Sequence, residues 1–393
     1  MSNNEITLSL KRFKLKKQSR RKQLKKKSIS RKNKNKKKKV TIDDVARHLN
    51  ISKATVSLAL NNSPLVAKTT KHRVIEAAEE LGYWPNYFAA CLSQGSSATI
   101  GLYILEGETR SCRWTLPSSW MFYHPIMKGV TTQLSKKGYR LQLEVVTIEQ
   151  LSKEQGIAKT VQEGALDGIL LVVQDDICYD FVNVAIEMEF PLVVLNARIP
   201  QDVSSVKIDN EEGAKKVVEY LLGLGHKKIG YISGPVMDIN AIERRKGFLN
   251  AIEAAGLRIR DEYLKYGDWQ VQSGEKLAEE LAALKDPPSA IFCANDHMAV
   301  GAIRALKALG FKIPDNISIV GYDDTELCKI VTPSVTTVRQ SLEVMGEIGA
   351  QDVLRQIQDG VSLIRHTNLE PELVIRESTA EYSEMSFGYT VSS

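Results

Sequence analysis

From Thr99 onward, short β-rich runs alternate with helical stretches, and no other feature of this 393-residue chain restricts its fold so tightly. TIGLYIL, YRLQLEVV, DGILLVV, PLVVLNA, KIGYIS, SAIFCA and ISIVGYD are separated by helical stretches such as Ile126–Lys137, Gly213–Gly223, Gly247–Ala255 and Ala299–Leu309. That alternation predicts parallel sheets covered by helices on both faces, an α/β class with doubly wound parallel-sheet lobes. Such sheets bind ligands beyond the carboxyl ends of their strands, so two lobes place a small molecule between them. The nearest glycine pattern, GLGHKKIG at Gly223–Gly230, lies between a helix and the following strand. A dinucleotide fingerprint needs the opposite order, and there is no Walker sequence, so no nucleotide cofactor is expected. No paired Ser/His/Asp set and no metal cluster stands out, so the reading assigns no catalytic residue, no metal, no cofactor and no enzyme activity.

Upstream, Val40 to Asn61 reads VTIDDVARHLNISKATVSLALN. Thr41 with Asp44 makes a capping-box-like helix start. Ser52 ahead of Lys53-Ala54-Thr55-Val56 makes a second, with Asn50 and Ile51 left to turn between them. Val45 and Leu49, then Val56 and Leu60, recur at helical spacing, one apolar stripe per helix. The pattern predicts an all-α helix-turn-helix unit whose second helix turns Lys53, Ala54, Ser57, Leu58 and Asn61 outward. Small or polar side chains there suit the major groove of DNA. A third amphipathic helix spans about Lys68 to Leu81, with Val74, Ile75, Ala77, Ala78 and Leu81 on one face and Gly82 as its C′ residue. An ordinary helical hairpin inside a larger core is the plain alternative.

The motifs that follow argue against that alternative. TIDDVA (Thr41–Ala46), ISKATVS (Ile51–Ser57) and LGYWPN (Leu81–Asn86) resemble the headpiece of the LacI family of bacterial transcription regulators. The resemblance continues through IDNEEGA (Ile208–Ala214), GHKKIGYISGP (Gly225–Pro235), RRKGF (Arg244–Phe248), ANDHMAVGAIRAL (Ala294–Leu306), IPDNISIVGYDD (Ile313–Asp324) and PSVTTVRQ (Pro333–Gln340), covering about residues 40–376. It implies a periplasmic-binding-protein-like core of two lobes joined by three crossings. It further implies a homodimer, with a near-palindromic double-stranded DNA operator and a small-molecule effector as partners. A sugar is the first expectation for that effector, with purine-like and sugar-phosphate molecules behind it. The expected place is the bacterial cytoplasm, at the nucleoid, with no membrane partner.

The resemblance also implies site residues. Asn86 caps a hinge helix carrying Ala89 and Leu92, which Gly95 ends. A stretch so short does not hold as an isolated helix, and in this family it forms when two subunits pair on DNA. A leucine from each then wedges into the minor groove, and Leu92 falls at that position. Thr41, Ser52, Lys53, Ala54, Thr55, Ser57, Leu58, Asn61, Tyr83, Asn86, Ala89 and Leu92 are accordingly the expected DNA contacts. In the cleft, Phe122, Tyr123, Arg244, Trp269 and Asp296 match family effector contacts. A guanidinium fork and a carboxylate each bridge neighbouring hydroxyls, and a flat indole suits the apolar face of a sugar or a purine. Each has a packing alternative: an interlobe salt bridge for Arg244 and Asp296, core burial for Trp269, helix packing for Phe122 and Tyr123.

The expected organisation is a basic tail over 1–39, a headpiece over 40–85 and a hinge over 86–97. A first lobe follows from 98–224 plus 325–352, then a second lobe from 225–324 plus 353–380 and a C-terminal tail over 381–393. The chain departs from the family pattern in three places. The stretch between Gly101 and Phe122 is longer and carries Trp114 and Trp120. Leu58 stands where many members have Arg or His, so the operator is expected to depart from the usual half-site. Ala67 replaces a helix-capping Ser, at a cost of about 1 kcal/mol. The closing ESTAEYSEMSFGYTVSS has no leucine heptads, so a dimer without a tetramerising coil is expected.

Charge separates the tail from the rest. The formal charge of +6 hides 18 Lys and Arg within residues 11–39; without them and Glu5, 35 basic residues face 46 acidic ones. A lysine block of this kind cannot bury apolar surface, and it either adds non-specific phosphate contacts or is a solvated extension. It has no apolar h-region of a secretory signal, and no run in the chain reaches the length of a membrane span. Five scattered cysteines without a CxxC pair read as reduced thiols rather than disulfides or zinc ligands.

Overall fold

A computed structural model of the chain describes residues 40–60, 63–84, 96–106, 117–152, 159–160, 163–173, 179–197, 202–361 and 363–383. They belong to two compact units, Met1–Gln94 and Gly95–Ser393.

The first unit holds three helices, α1 (Ile42–Leu49), α2 (Lys53–Leu60) and α3 (Lys68–Leu81). The capping box forms as expected: Thr41 N–H donates to Asp44 Oδ2 at 2.9 Å. Asn50 takes a left-handed φ of 52° to end α1, a conformation its short amide side chain tolerates. Ser52 Oγ then accepts from Thr55 N–H at 3.0 Å to start α2, so the turn is fixed by the Asn50 backbone at one end and by a side-chain cap at the other. Val45, Ala46, Val56, Ala59, Val74, Ala77 and Ala78 make the core, with Leu49, Leu60 and Leu81 packed around it. Ile75, expected on the inward face of α3, is 47% exposed, because Val74, Ala77 and Ala78 already fill that face. Ala67 offers α3 no side-chain cap.

The second unit contains two parallel sheets. In the first lobe β1 (Thr99–Glu106), β2 (Arg140–Thr147), β3 (Gly168–Val172), β4 (Leu192–Leu195), β5 (Ser204–Ile208) and β11 (His366–Leu369) run in the order β11-β5-β4-β3-β1-β2. Alternation along the strands splits the apolar residues between two faces: Leu170 and Val172 of β3 enter one core layer, Ile169 and Leu171 the other. The helices α4 (Pro117–Lys136) and α12 (Leu342–Asp359) cover the first layer, and α5 (Ile148–Ser152) and α6 (Tyr179–Glu187) the second. Where α4 crosses α12, a Cβ on Gly129 would stand 2.0 Å from Glu343 O, and one on Gly346 2.2 Å from Ile126 O. Only glycine permits that approach.

The second lobe has β6 (Ile229–Ser233), β7 (Leu264–Tyr266), β8 (Ala290–Cys293) and β9 (Ser318–Val320) in the order β7-β6-β8-β9. Around this sheet pack α7 (Asn210–Gly223), α8 (Ile239–Ala254), α9 (Val271–Ala282) and α10 (Asp296–Ala308), with the short α11 (Leu327–Ile330) behind. An antiparallel pair, β10 (Thr337–Arg339) with β12 (Glu372–Val374), lies beside it.

The expected lobe boundaries need correction. Ala214, Val217, Val218 and Leu221 of α7 are buried in the second-lobe core, so the chain crosses after β5 and not after residue 224. Val335 and Val338 also lie in that core, and Gly321 N–H donates to Thr336 O at 2.9 Å, so 325–339 stays with the second lobe. The 18-residue α12 packs along its length on the first lobe and cannot change lobes midway at 352. Its successor β11 pairs with β5. The chain then returns, with Ile319 N–H donating to Ser378 O and Tyr382 N–H to Leu224 O, each at 2.8 Å. The lobes are therefore 99–208 with 342–369 and 210–339 with 372–382, and the crossings fall at Asp209, Gln340–Ser341 and Glu370–Pro371.

Candidate functional site

On α2 the inward positions are Val56 and Ala59, which leaves Lys53, Ala54 and Leu58 exposed and Thr55 and Ser57 half-buried. Lys53 Nζ lies 3.3 Å from Asp43 Oδ2 in a solvated pair. The Thr55 and Ser52 hydroxyls bond each other at 2.8 Å, and Thr41 is engaged in its capping box. Tyr83 packs half-buried against the headpiece core. Asn61, Asn86, Ala89 and Leu92 lie outside the described residues, as does Trp114. Trp120 is 47% exposed, its ring 5.2 Å from that of His124.

At the entry to the second unit, one carboxylate gathers the chain. Asp167, just ahead of β3, accepts from Ser97 N–H at 2.7 Å, Ala98 N–H at 2.8 Å and the Ser97 hydroxyl at 2.9 Å, and also from the Ser96 hydroxyl. Its own N–H donates to Thr99 O at 2.9 Å. Ala98 is held at φ 45°, a left-handed conformation an alanine does not choose unaided. The clasp thus fixes the residues through which the linker joins β1.

At the carboxyl ends of the second-lobe strands lies a polar constellation. Arg244, on α8 and 2% exposed, donates through Nε to Asn210 Oδ1 at 2.9 Å and through Nη1 to Ala294 O at 2.5 Å. Nη1 also lies 3.4 Å from Asp323 Oδ1. Its guanidinium stacks 3.8 Å over the Tyr322 ring and 5.6 Å from that of Trp269. Trp269 has a φ of 69° and packs on Gly234, where a Cβ would come within 2.2 Å of the indole. The indole N–H donates to Asp238 Oδ2 at 3.2 Å. Arg244 and Trp269 therefore lie together.

Two expected cleft residues need correction. Asp296 is fully buried, and its carboxylate is spent inside the lobe: Oδ1 accepts from the Thr337 hydroxyl at 2.6 Å and Oδ2 from Thr325 N–H at 2.7 Å. Tyr123, 1% exposed, packs in the first-lobe core with Ile126 and Val130, and only Phe122 beside it is half-buried. The carboxylate next to Arg244 is Asp323, whose side chain keeps 20% exposure and accepts from Gln340 Nε2 at 2.6 Å. It was present in the sequence as the first Asp of the GYDD run. Asn196, at the end of β4, was also missed. Its Nδ2 donates to Val173 O at 2.8 Å, while its buried Oδ1 has no hydrogen-bond partner among the described residues.

Electrostatics sharpen the difference between the two aspartates. Burial pushes both carboxyls above the usual range. For Asp323 the neighbouring Arg244 guanidinium pulls the other way and the Asp296 carboxyl adds to the rise. For Asp296 the Thr337 and Thr325 hydrogen bonds oppose the rise. What separates the two is exposure: the Asp323 side chain keeps 20% of its surface, whereas Asp296 is fully buried.

Both units of the chain have counterparts among known proteins. Residues 41–86 match the family model for bacterial regulatory proteins of the lacI family, and residues 218–379 match a periplasmic binding protein-like domain. The chain is 34% identical over 340 residues to the probable HTH-type transcriptional repressor ExuR of Bacillus subtilis (strain 168), spanning 86% of this chain and 98% of that protein. Among solved structures, the lac repressor dimer bound to operator and the anti-inducer ONPF superposes with a TM-score of 0.75 at 26% identity, covering 87% of this chain and 100% of that one. The transcriptional regulator CelR–cellobiose complex gives a TM-score of 0.62 at 28% identity, covering 86% and 99%. No helix among the described residues is long and apolar enough to cross a membrane.

Proposed function

Because this chain belongs to the lacI family of bacterial regulatory proteins and is a DNA-binding transcriptional repressor controlled by a small molecule, we propose that it acts as a homodimer on a near-palindromic operator and senses a sugar in the cleft between its lobes. The observation that carries the sugar is the Arg244–Asp323 pair held beside the Trp269 ring. A guanidinium donor and a carboxylate acceptor side by side suit vicinal hydroxyls, and the indole suits the C–H face of a pyranose or furanose. Asn196 Oδ1 supplies an unspent acceptor from the opposite lobe. The likeness to a regulator solved with cellobiose points the same way. The proposed setting is the bacterial cytoplasm, on the nucleoid.

In this mechanism the two headpieces of a dimer occupy the two half-sites, and the segments from Asn86 to Gly95 pair as hinge helices with Leu92 as the wedge. Ligand and DNA act through one conformational equilibrium, so each changes the other's affinity by the same factor. A ligand that favours the DNA-free arrangement is an inducer; one that favours the DNA-bound arrangement is a corepressor.

The test is a thermal-shift panel of sugars, sugar phosphates, nucleosides and purines, paired with operator binding and with the Asp323→Asn protein. A ligand at 100 times its Kd stabilises the chain by about 2.7 kcal/mol. A sugar that shifts wild type, alters operator affinity and loses its effect in Asp323→Asn is the expected result. Response to purines or nucleosides alone would overturn the sugar. Sedimentation of the operator complex as a single protomer would overturn the homodimer.

A further inference from the structure

Apart from the half-buried Ser57, the described outward face of α2 is poor in groups able to hydrogen-bond a base edge. Lys53, its only cation, stands at the first turn beside Asp43. The Ser52 and Thr55 hydroxyls are turned on each other at the helix start. What projects furthest along the helix is an apolar row, Ala54 and Leu58, one turn apart on the same side. Leu58 is 38% exposed while Val56 and Ala59 on either side of it carry the packing. Leu58 is not among the residues of the headpiece core, and a good part of its apolar surface faces solvent in the free protein.

A helix laid in the major groove presents such a row to base edges, and the one apolar group those edges offer is the C5-methyl of thymine. We propose that Leu58, with Ala54 beside it, reads thymine methyl groups, so that the half-site is specified under this part of α2 by methyl contact and not by a hydrogen-bonded guanine. Burying one methyl between a leucine and the groove floor is worth about fourfold in affinity.

The experiment uses the full chain and an operator selected from random duplex DNA by binding. Each thymine of a half-site is replaced in turn by deoxyuridine, which removes the methyl and nothing else. Wild type should weaken about fourfold at one or two adjacent positions, and Leu58→Ala should bind thymine and deoxyuridine equally at the position Leu58 covers. Replacing that base pair by C·G should weaken binding, and 5-methylcytosine in place of the cytosine should restore part of the loss. Leu58→Arg, reselected on random DNA, should exchange the thymine for a guanine, since arginine pairs with guanine O6 and N7. Indifference to deoxyuridine at every position would overturn the proposal. So would a guanine selected by wild type under Leu58.

Discussion

Asp167→Ala tests how the linker is fixed to the regulatory unit. The substitution removes the acceptor of two backbone N–H groups, Ser97 and Ala98, and of two hydroxyls, Ser96 and Ser97. The hydroxyls turn to water at little cost. The two amides lose charge-assisted bonds worth about 1.5–3 kcal/mol each when buried, and this half-exposed site sits at or below the low end of that range. Ala98, once free, leaves its φ of 45° and returns about 1 kcal/mol. The net loss is about 2 kcal/mol, which is roughly a 30-fold increase in local opening. Native-state hydrogen exchange reads this directly. Ser97 and Ala98 amides should exchange about 30-fold faster, while Ile169 N–H, bonded to Pro191 O inside the sheet, should not change. Operator affinity should fall because the hinge then departs from an unfixed base, and effector affinity should hold because Asp167 touches no cleft residue. Asp167→Asn keeps one acceptor and should lie between. Unchanged exchange at both amides in Asp167→Ala would refute the clasp, and unchanged operator affinity despite faster exchange would refute its role in transmission.

Four further outcomes are expected. Asp296→Ala should lower the thermal stability of the regulatory unit by about 2–4 kcal/mol, because it strands the Thr325 N–H and the Thr337 hydroxyl inside the lobe; a fully stable protein that has lost only its effector response would return Asp296 to the ligand. Burial raises the Asp323 carboxyl to about 7 in the folded chain, whereas an unfolded Asp releases its proton near 4. Between those values the folded state binds more protons, so stability should fall as pH rises through the window, and Asp323→Asn should flatten the curve. Leu92→Ala should weaken specific binding far more than non-specific binding, an equal loss on both DNAs being the adverse result. Deleting residues 2–39 should reduce the slope of log affinity against log salt if the 18 Lys and Arg of residues 11–39 meet phosphate, and an unaltered slope would leave that segment a solvated extension.

The parts of this molecule that could be read in the sequence are those set by neighbours along the chain. The capping box at Thr41 and the Ser52 helix start close within three residues, and central strands such as Gly168–Val172 and Leu192–Leu195 announce themselves because both faces are covered and the run is apolar throughout. The errors at Asp296 and at the lobe boundary share one cause. Asp296 and Asp323 each follow a strand end, but the partners that consume Asp296, Thr325 and Thr337, stand 29 and 41 residues away. Nothing local distinguishes a carboxylate so occupied from one left facing the cleft. The lobe that α7 joins was hidden for the same reason, since an amphipathic helix does not say which sheet it will cover. Tyr123 is different: with Ile126, Val130 and Leu134 it completes a helical stripe, and that periodicity marked it as core.

The corrected constellation also explains how a small ligand could act at a distance. Arg244 is bonded to Asn210, the first residue of α7 after the first crossing, and Asp323 is bonded to Gln340 on the second. Next to Asp323, Asp324 receives Arg339 at 2.7 Å and also Arg376; Arg339 in turn reaches Glu372 at 2.9 Å, beyond the third crossing. Lys216 on α7 closes the set by donating to Pro371 O at 3.0 Å. Two of the three strands of chain between the lobes are thus bonded to Arg244 and Asp323, the pair proposed to meet the ligand, and the third is reached from the neighbouring Asp324 through Arg339. A ligand hydroxyl that takes over the Arg244–Asp323 contact changes the hydrogen bonds of the crossings themselves. Its effect on lobe orientation is then the difference between the contacts it makes in each arrangement. Asp296, fully buried and bonded to the Thr337 hydroxyl on β10 and to Thr325 N–H, by contrast ties elements of the second lobe to one another and reaches none of the crossings.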